Sequence, residues 1–381
     1  MTDHQNLLNK MRNMTKDLLA NGPQSATVVI QQALQDAGLL AASTDQTKAP
    51  STTPVQDRSI MRDINAPPAK LNLASTHAPV GAGVGVTIPE NAQFIRGSYA
   101  NAAGTRQYRL YVPACYDGHA LPLVVMLHGC TQDSDDFARG TQMNAAAEQH
   151  CCMVLYPQQS HNANSSKCWN WFNAGDQQRD GGEPSILAGM TKEIIARYAV
   201  DQRQVYIAGL SAGGAMAAIM GTVYPDLYAG VGVHSGLPYG AATDLPSALA
   251  AMRSGMAGPA PAVKSASDRT AFKGIPIIVF HGDADHTVNM RNGDQVLANS
   301  AAAAPDKSRE IRSKGRTVGG HAYTRTVQHN AAGHAVAEHW LVHGFGHAWA
   351  GGSPSGSFTD ARGPDATQEM MRFFYTQKKP V

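Results

Sequence analysis

The feature that most constrains this chain is a serine set between two glycines. Residues 209–213 read Gly-Leu-Ser-Ala-Gly, after an apolar run at residues 205–208 and before a stretch of small residues suited to a helix. A strand, a sharp turn and a helix in this order form a nucleophile elbow, which predicts that Ser211 is a nucleophile exposed above a sheet. Because the turn strains the serine backbone, the residues two before and two after it must lack bulk. Gly209 and Gly213 meet that demand.

Apolar runs alternate with helical stretches along the chain. The runs that predict buried strands are residues 121–127, 153–156, 205–208, 230–234 and 275–280, and the helical stretches are residues 183–198 and 213–224. Strands that alternate with helices form a parallel sheet covered on both faces. An earlier segment, residues 107–113, alternates polar and apolar side chains as an antiparallel strand does. Together with the elbow, the pattern predicts an α/β-hydrolase fold with a mostly parallel central sheet flanked by helices.

Composition divides the chain into four segments. Residues 1–40 carry apolar side chains at spacings of three and four, which predicts a short N-terminal helical appendage. Residues 41–93 are rich in Ala, Ser, Thr and Pro and are expected to form a poorly ordered linker. Residues 94–375 are expected to form the catalytic domain, and residues 376–381 a solvated C-terminal tail. A docking or oligomerisation element is the alternative interpretation of the N-terminal helices.

Charge and hydropathy exclude several classes of partner. The 31 basic and 29 acidic residues give a formal net charge of +2, without the concentrated basic face that nucleic-acid binding needs. No apolar run approaches the roughly 20 residues of a membrane span. The polar segment 1–19 lacks the apolar core of a signal peptide, so a cytoplasmic location is expected, with secretion by a non-standard route as the alternative. No nucleotide-binding loop or metal-ligand spacing occurs, so no cofactor and no metal are expected.

Five cysteines are present, namely Cys115, Cys130, Cys151, Cys152 and Cys168. An odd count in a chain without a recognisable signal peptide predicts mostly reduced thiols. The adjacent pair Cys151 and Cys152 opens an apolar run, and both are interpreted as buried free thiols that behave as small hydrophobic groups.

The α/β-hydrolase chain order places an acid after the serine and a histidine after the acid. Residues 278–288 form a predicted strand that runs into a polar loop, where Asp283 and Asp285 compete for the acid role. Asp285 lies further into the loop, where it can reach an incoming histidine, and is favoured. Asp283 suits a turn, since aspartate readily accepts hydrogen bonds from its own backbone.

Six histidines follow late enough to act as the base: His321, His329, His334, His339, His343 and His347. His347 lies between small residues in a Gly-rich loop after a predicted strand at residues 335–342. Such a loop lets an imidazole face both the serine and the acid, so His347 is favoured. The predicted triad is therefore Ser211, Asp285 and His347.

An ester-cleaving serine also needs two backbone donors for the oxyanion. Ala212, the residue after the nucleophile, is expected to supply one. The turn after the strand at residues 121–127 reads His128-Gly129-Cys130-Thr131, and the Cys130 N–H is expected to supply the other. A glycine in that turn permits close approach of a substrate, so His128 and Gly129 are candidate cleft residues.

Aromatic residues are concentrated in a predicted loop at residues 168–172, which reads Cys-Trp-Asn-Trp-Phe. Trp169, Trp171 and the later Trp349 are candidates for a substrate cleft, and packing beneath a long loop is the alternative. Cys130 and Cys168 both fall in loops above the same sheet edge. A disulfide between them would pin the aromatic loop beside the oxyanion turn, although such a bond conflicts with a cytoplasmic location.

Several segments in one order resemble the polyhydroxybutyrate depolymerase family of esterases. They are Leu127-His128-Gly129-Cys130-Thr131-Gln132, Cys168-Trp169-Asn170-Trp171-Phe172, the elbow with Gly214-Ala215-Met216, Val233-His234-Ser235-Gly236 and Gly346-His347-Ala348-Trp349. The resemblance covers roughly residues 95–375 and implies an α/β-hydrolase with the triad on Ser211, Asp285 and His347. The N-terminal helices and linker resemble those of members that lack a signal peptide. Ala350 stands where the family often has proline, which predicts a looser loop around His347.

The resemblance implies hydrolysis of polyhydroxybutyrate, short-chain polyhydroxyalkanoates or their oligomers. Related members act on feruloyl, acetyl or other small esters, which gives the first alternative, together with synthetic polyesters. A second alternative is a granule-binding protein with weak catalysis, whose N-terminal segment docks on a polymer surface. The expected partner in the leading hypothesis is an ester or polyester substrate.

Overall fold

The computed structural model describes residues 89–255, 274–302 and 307–380. The predicted helical appendage at residues 1–40 and the linker up to residue 88 lie outside the described residues.

A ten-stranded sheet in the order β1-β2-β4-β3-β5-β6-β7-β10-β9-β8 organises the described part of the chain. Its strands are β1 (Gln93–Asn101), β2 (Gly104–Val112), β3 (Leu121–Leu127), β4 (Met153–Gln158), β5 (Val200–Leu210), β6 (Gly230–His234), β7 (Ile277–Gly282), β8 (Lys307–Arg316), β9 (Ala322–Asn330) and β10 (Ala335–Val342). The six central strands from β4 to β10 run parallel. The pairs at both ends of the sheet are antiparallel. This confirms the predicted mostly parallel sheet.

Helices cover both faces of the sheet. They are α1 (Ser134–Thr141), α2 (Met143–His150), α3 (Gly182–Arg197), α4 (Ala212–Val223), α5 (Leu245–Ser254), α6 (Arg291–Ala302) and α7 (Ala366–Tyr375), with a 3-10 helix at Ala174–Gln177. The two-residue strands β11 (Trp349–Ala350) and β12 (Thr359–Asp360) form a second, small sheet. The arrangement confirms the α/β-hydrolase class predicted from the elbow and the alternation of strands and helices.

Alternate side chains of the central strands divide the core in two. In β3, Leu123 and Val125 pack with α3 and α4, whereas Val124 and Met126 pack with α1, α2 and α7. All four side chains are fully buried, as expected for a parallel strand covered on both faces. The continuous apolar runs in the sequence follow from this double burial.

The carboxyl ends of the parallel strands lie along one edge of the sheet, where α/β proteins build their sites. β3 leads into residues 128–132 and β5 leads into Ser211. β7 leads into the segment with Asp283 and Asp285, and β10 leads into residues 343–347. The topology therefore brings all the predicted catalytic segments to the same edge.

Two disulfides join loops around this edge. Cys130 is bonded to Cys168, and Cys115 is bonded to Cys151, while Cys152 is a buried free thiol. The expectation of mostly reduced thiols is therefore wrong for this structure, and so is the interpretation of Cys151 as a free thiol. Cys152 belongs to the core on one face of the sheet, whereas Cys151 packs against the core on the other. Adjacent residues that lead into a strand point to opposite sides, which separates their environments.

The predicted C-terminal tail packs against the domain over its described residues, 376–380. The Tyr206 hydroxyl donates to the backbone carbonyl of Gln377 at 2.7 Å. The Lys379 ammonium donates to the carbonyls of Asp226 and Leu227, both at 2.8 Å. The segment is therefore anchored at Gln377 and Lys379, whereas Thr376, Lys378 and Pro380 are exposed to solvent as expected of a tail.

A buried carboxylate ties β10 to its neighbours. Glu338 is fully buried and accepts hydrogen bonds from Arg325 on β9 at 2.8 Å and from Arg372 on α7 at 2.5 Å. The Trp340 indole N–H donates to the same carboxylate at 2.7 Å. Burial acts to raise the pKa of Glu338, but the two arginines outweigh it and hold the pKa below its ordinary value. The ion pairs thus fix the strand that leads to His347.

We expect protein purified without reductant to show one reactive thiol per chain after denaturation, and five after reduction. The single thiol is Cys152, since the other four cysteines are bonded in pairs. Titration with a chromogenic thiol reagent in denaturant measures both numbers. In the Cys152→Ser variant, no thiol should react before reduction and four should react after reduction. Five reactive thiols before reduction would show that neither disulfide forms.

Substituting Glu338→Gln should lower the free energy of unfolding by about 1.5–3 kcal/mol at pH 7, because two partly exposed arginines lose a charged hydrogen-bond acceptor. The matched control is Glu369→Gln, which removes a partly exposed ion pair with the same Arg372 and should cost no more than about 1 kcal/mol. Urea denaturation measures both values. Equal losses for the two variants would contradict the role assigned to Glu338.

The stabilisation from Glu338 should also depend on pH. Since its folded pKa is lowered, its contribution is present above its unfolded pKa of about 4.3 and is lost as the pH falls through the folded value. The difference in the free energy of unfolding between wild type and Glu338→Gln, measured by urea denaturation, should therefore shrink below about pH 4.

Candidate active site

Ser211 lies at the apex of the turn between β5 and α4. Its backbone has φ 57° and ψ −119°, a conformation that L-residues rarely adopt. The Ser211 N–H donates to the carbonyl of His234 on β6 at 2.9 Å. A Cβ atom on Gly209 would lie 2.4 Å from the Gly213 backbone, and one on Gly213 would lie 2.1 Å from the Leu127 carbonyl oxygen. Glycine is therefore required at both positions, because any side chain would collide with the neighbouring backbone.

Asp285 and His347 form a buried pair. His347 Nδ1 lies 2.7 Å from Asp285 Oδ2, and the other carboxylate oxygen accepts the backbone N–H groups of Thr287 at 2.9 Å and Val288 at 2.8 Å. A carboxylate can only accept, so Nδ1 carries the proton and Nε2 of a neutral ring is an acceptor. Within the described residues, His347 Nε2 has no hydrogen-bond partner. This nitrogen is therefore available to a reacting group.

The environment of Asp285 favours its charged form. Burial acts to raise the pKa of Asp285, but the electrostatic attraction and hydrogen bond of His347, together with His281 and the Val288 N–H, hold it below its ordinary value. His281 Nε2 lies 3.6 Å from the carboxylate and 2.8 Å from the Val288 carbonyl. The carboxylate is thus held on several sides while one oxygen faces the imidazole.

Asp283, the competing acid, belongs to a separate pair. Its carboxylate accepts His343 Nδ1 at 2.7 Å and the Gly344 N–H at 2.6 Å. His343 Nε2 lies 2.9 Å from the Thr324 hydroxyl, so both ring nitrogens are occupied. Among the remaining candidate bases, His321 bonds the His343 carbonyl and Asp360. None of the other five candidate histidines lines the cleft that contains Ser211.

Ser211 and His347 line one cleft, which encloses about 800 Å³ of space open to solvent. One wall comes from the oxyanion turn and the aromatic loop: Gly129, Cys130, Thr131, Cys168, Trp171 and Phe172. A second wall comes from α5 and the loop after Asp285: Leu245, Ala248, Leu249, Met252, Thr287 and Val288. Of the described residues that line the cleft, His347 alone is ionisable.

Two backbone N–H groups in the cleft lack partners among the described residues. Ala212 is the first residue of α4, and the first N–H groups of a helix have no intrahelical acceptor. The Cys130 N–H is likewise unbonded, and its turn is held on three sides. The Gly129 N–H donates to Gln132 Oε1 at 2.9 Å, the Thr131 N–H donates to the Ser166 carbonyl at 2.7 Å, and the disulfide fixes Cys130 itself.

Three of the predicted cleft residues are instead buried outside the cleft, so those predictions are wrong. His128 is fully buried, with Nδ1 2.7 Å from the Gly129 carbonyl and Nε2 accepting the Gln159 N–H at 3.1 Å. Burial lowers the pKa of His128 to about 4, so the ring is neutral and structural. The Trp169 indole donates to the His128 carbonyl at 3.1 Å.

Trp349 packs beneath the site. Its ring lies 5.5 Å from that of Phe137 and 5.1 Å from that of His234, and its N–H donates to Thr367 Oγ1 at 3.0 Å. These contacts follow from its place on β11, in the core beneath the loop. Gly129 and Trp171, the other two candidates, do line the cleft.

His234 was not singled out from the sequence beyond its place in a family motif. Its carbonyl accepts the Ser211 N–H, and its Nε2 accepts the Ala350 N–H at 3.0 Å. Burial lowers the pKa of His234 well below its ordinary value, so the ring is neutral. A proline at position 350 would have no N–H to donate. Ala350 therefore adds a bond between the elbow and the segment after His347, where the sequence predicted a looser loop.

Glu183 also carries no signal in the sequence. It is buried and accepts the Asn170 backbone N–H at 2.8 Å, the Asn170 side-chain amide at 2.9 Å and Arg106 at 3.1 Å, with Gln159 as a further donor. Burial raises the pKa of Glu183 in spite of these donors. The carboxylate anchors the base of the aromatic loop from the start of α3.

No group of three or more His, Cys, Asp or Glu side chains in the described ranges is arranged to hold a metal ion.

The sequence model of one protein family, described as Esterase PHB depolymerase, matches residues 106–303. Poly(3-hydroxyalkanoate) depolymerase C of Paucimonas lemoignei is 32% identical over 256 residues, which are 66% of this chain and 60% of that protein. Poly(3-hydroxybutyrate) depolymerase of Ralstonia pickettii is 37% identical over 129 residues, which are 32% of this chain and 26% of that protein. The chain thus spans three fifths or less of the length of these relatives.

Among solved structures, an acetyl xylan esterase from Aspergillus awamori superposes with a TM-score of 0.51 at 18% identity. The superposition covers 71% of this chain and 94% of that one, and it supports the fold. The family match spans more than half of the chain and includes the elbow, the oxyanion turn and the segment with Asp285. The chain therefore belongs to the esterase PHB depolymerase family.

Proposed function

We propose that this chain is a serine esterase that hydrolyses ester bonds of poly(3-hydroxybutyrate), other short-chain polyhydroxyalkanoates or their oligomers. The observation that carries the proposal is the buried Asp285–His347 pair, joined at 2.7 Å, in a cleft shared with Ser211 and two unbonded N–H groups. Family membership supports the substrate class. The triad of Ser211, Asp285 and His347 and the donors Cys130 and Ala212 are part of the proposal.

In the first half of the reaction, His347 Nε2 takes the Ser211 proton as the serine oxygen attacks the ester carbonyl. Asp285 holds the other ring proton on Nδ1 and stabilises the imidazolium that forms. The N–H groups of Cys130 and Ala212 donate to the developing oxyanion, in a site already organised to receive it. The intermediate then collapses to an acyl-enzyme as the imidazolium gives its proton to the departing alkoxide.

In the second half, a water molecule attacks the acyl-enzyme while His347 accepts its proton. The same two N–H groups stabilise the second oxyanion. Collapse of this intermediate returns the proton to Ser211 and releases the hydroxy acid or a shortened oligomer. Ser211, His347 and the two donor residues line the cleft, and Asp285 acts through its hydrogen bond to His347.

The lining of the cleft favours an uncharged aliphatic substrate. Polar recognition groups are few, and the walls are formed by aromatic and aliphatic side chains. A hydroxyalkanoate unit has no charge and only ester oxygens, so it can be buried there at little desolvation cost. A sugar would need a hydrogen-bond partner for most of its hydroxyl groups.

One observation favours a second candidate, a feruloyl or other aromatic-ester esterase. Trp171 and Phe172 both line the cleft, with ring centroids 5.6 Å apart in an edge-to-face arrangement. An aromatic acyl group would stack on such a wall. The granule-binding alternative depends on residues 1–88, which lie outside the described residues, and it stays a prediction.

The cytoplasmic location also stays a prediction. No helix in the described ranges is long and apolar enough to cross a membrane. The two disulfides favour an oxidising compartment, because reducing systems keep most thiols reduced in the cytosol.

Substituting Ser211→Ala should abolish hydrolysis of p-nitrophenyl butyrate and of hydroxybutyrate trimers, because the nucleophile is lost. The melting temperature should stay close to that of wild type, since Ser211 contributes no side-chain hydrogen bond to the fold. A panel of hydroxybutyrate oligomers, a feruloyl ester and an acetylated sugar, assayed on both proteins, ranks kcat/KM for the candidate substrates. Retained turnover in the variant would overturn the assignment of Ser211. A higher kcat/KM for the feruloyl ester would favour the second candidate.

Substituting Asp285→Asn should lower kcat by about 10⁴, because an amide no longer holds the His347 tautomer or stabilises the imidazolium. The matched control is Asp283→Asn, which alters the neighbouring Asp–His pair and should cause a far smaller loss. Steady-state kinetics with p-nitrophenyl butyrate measure both, and circular dichroism checks that each variant is folded. A larger loss in Asp283→Asn would contradict the choice of acid.

A further inference from the structure

The α5 helix carries a single apolar stripe. Leu245, Ala248, Leu249 and Met252 follow the spacing i, i+3, i+4 and i+7, which places them on one face. A surface helix normally turns such a stripe toward the core. Here all four side chains line the cleft that contains Ser211, and Leu249 and Met252 are only half-buried. Leu245 and Ala248 are buried, with Ala248 in the core, so the half-buried Leu249 and Met252 are the side chains that the stripe presents to the space in which an ester would bind.

Polar contacts near the two ends of α5 hold the helix in place. At the start, Asp244 accepts the Ser247 N–H at 2.8 Å, and the carbonyl of Ala242 accepts an amide N–H of Gln177 at 2.6 Å. These bonds fix the start of the helix against the 3-10 helix. They do not involve the half-buried side chains of Leu249 and Met252.

At the end of α5, the carbonyl of Met252 accepts the Asn289 N–H at 2.7 Å, and the carbonyl of Ala251 accepts an amide N–H of Asn292 at 2.9 Å. Asn289 lies four residues after Asp285. The end of the helix is therefore bonded to the segment that carries the proposed catalytic acid, and the stripe keeps a fixed position relative to the site.

We propose that the α5 stripe binds the aliphatic chain of the ester and sets the chain length that the enzyme prefers. This inference rests on the proposed esterase function. The stripe spans seven residues, or about 10 Å of helix, which is longer than an acetyl or butyryl group. An ester that covers the whole stripe therefore extends beyond one butyryl unit, as a hydroxybutyrate oligomer or a longer-chain ester does.

The contrast between the two walls supports this assignment. The wall formed by the oxyanion turn carries the unbonded Cys130 N–H, so it must accommodate the polar carbonyl. The α5 wall offers aliphatic side chains, which contribute by burying hydrocarbon rather than by hydrogen bonding. An ester with a polar head and an apolar chain fits between two such walls.

The test is a series of p-nitrophenyl esters, from acetate through butyrate to octanoate, and a matched series of alkyl butyrates. In wild type, kcat/KM should rise from acetate to octanoate. The Leu249→Ala/Met252→Ala variant should lower the ratio of the long-chain to the short-chain value by about tenfold or more in at least one series, since contacts with individual methylene groups discriminate on this scale. Leu249→Ala and Met252→Ala, tested singly, should each lower the same ratio by a smaller factor.

The matched control is Arg253→Ala, an exposed position on the same helix, which should leave the ratios as in wild type. An unchanged ratio in both series for the stripe variants would overturn the inference while the proposed function stands. An unchanged ratio of long-chain to short-chain kcat/KM, together with a large drop in the melting temperature of the variant, would show that the stripe packs against other parts of the protein instead. If wild type hydrolyses none of the esters, the proposed function itself fails.

Discussion

The contact on which the site depends is the backbone crossing between the elbow and the end of β3. Gly209 and Gly213 approach each other, and both lie so close to the Leu127 carbonyl that any side chain would collide with it. This approach makes the chain reverse at Ser211 and holds its backbone in a strained conformation. Because β3 runs directly into the oxyanion turn, one contact positions the proposed nucleophile and the Cys130 donor together.

The base and the acid are positioned by a different set of contacts. β7 and β10 are adjacent and parallel, so their ends lie side by side, and the Asp283–His343 pair joins the two loops where they begin. His234 then connects the elbow to β11 through the Ser211 and Ala350 N–H groups. Burial keeps His128 and His234 neutral, whereas Asp285 stays charged because donors surround it. The imidazole rings of His128 and His234 therefore hold the backbone around the site in position and add no positive charge that could compete for Asp285.

The sequence predicts what depends on local chain chemistry. The apolar strands, the glycines of the elbow and the strand-to-loop position of Asp285 can each be read from a short window, and the strands and the fold agree with the structure. What depends on packing from distant elements cannot be read in that way. Trp169 and Trp349 are aromatic residues of a type that often lines a cleft. In this fold, neighbouring elements bury both of them. Glu183 is an isolated acid until Asn170, Arg106 and Gln159 surround it, and Cys151 finds Cys115 only when the loops meet.

Catalysis and substrate selection are built on different parts of the chain. The proposed nucleophile, acid, base and oxyanion donors all follow strands of the parallel sheet, whose spacing is fixed by backbone hydrogen bonds. The walls that meet the rest of an ester come from α5, between β6 and β7, and from the aromatic loop at residues 168–172. The loop is anchored by Glu183 and a disulfide, and the helix by polar contacts near its ends, so the half-buried Leu249 and Met252 take no part in these anchoring bonds. Residues on these walls can therefore change, and the substrate with them, while the strand ends that position Ser211 and His347 stay as they are.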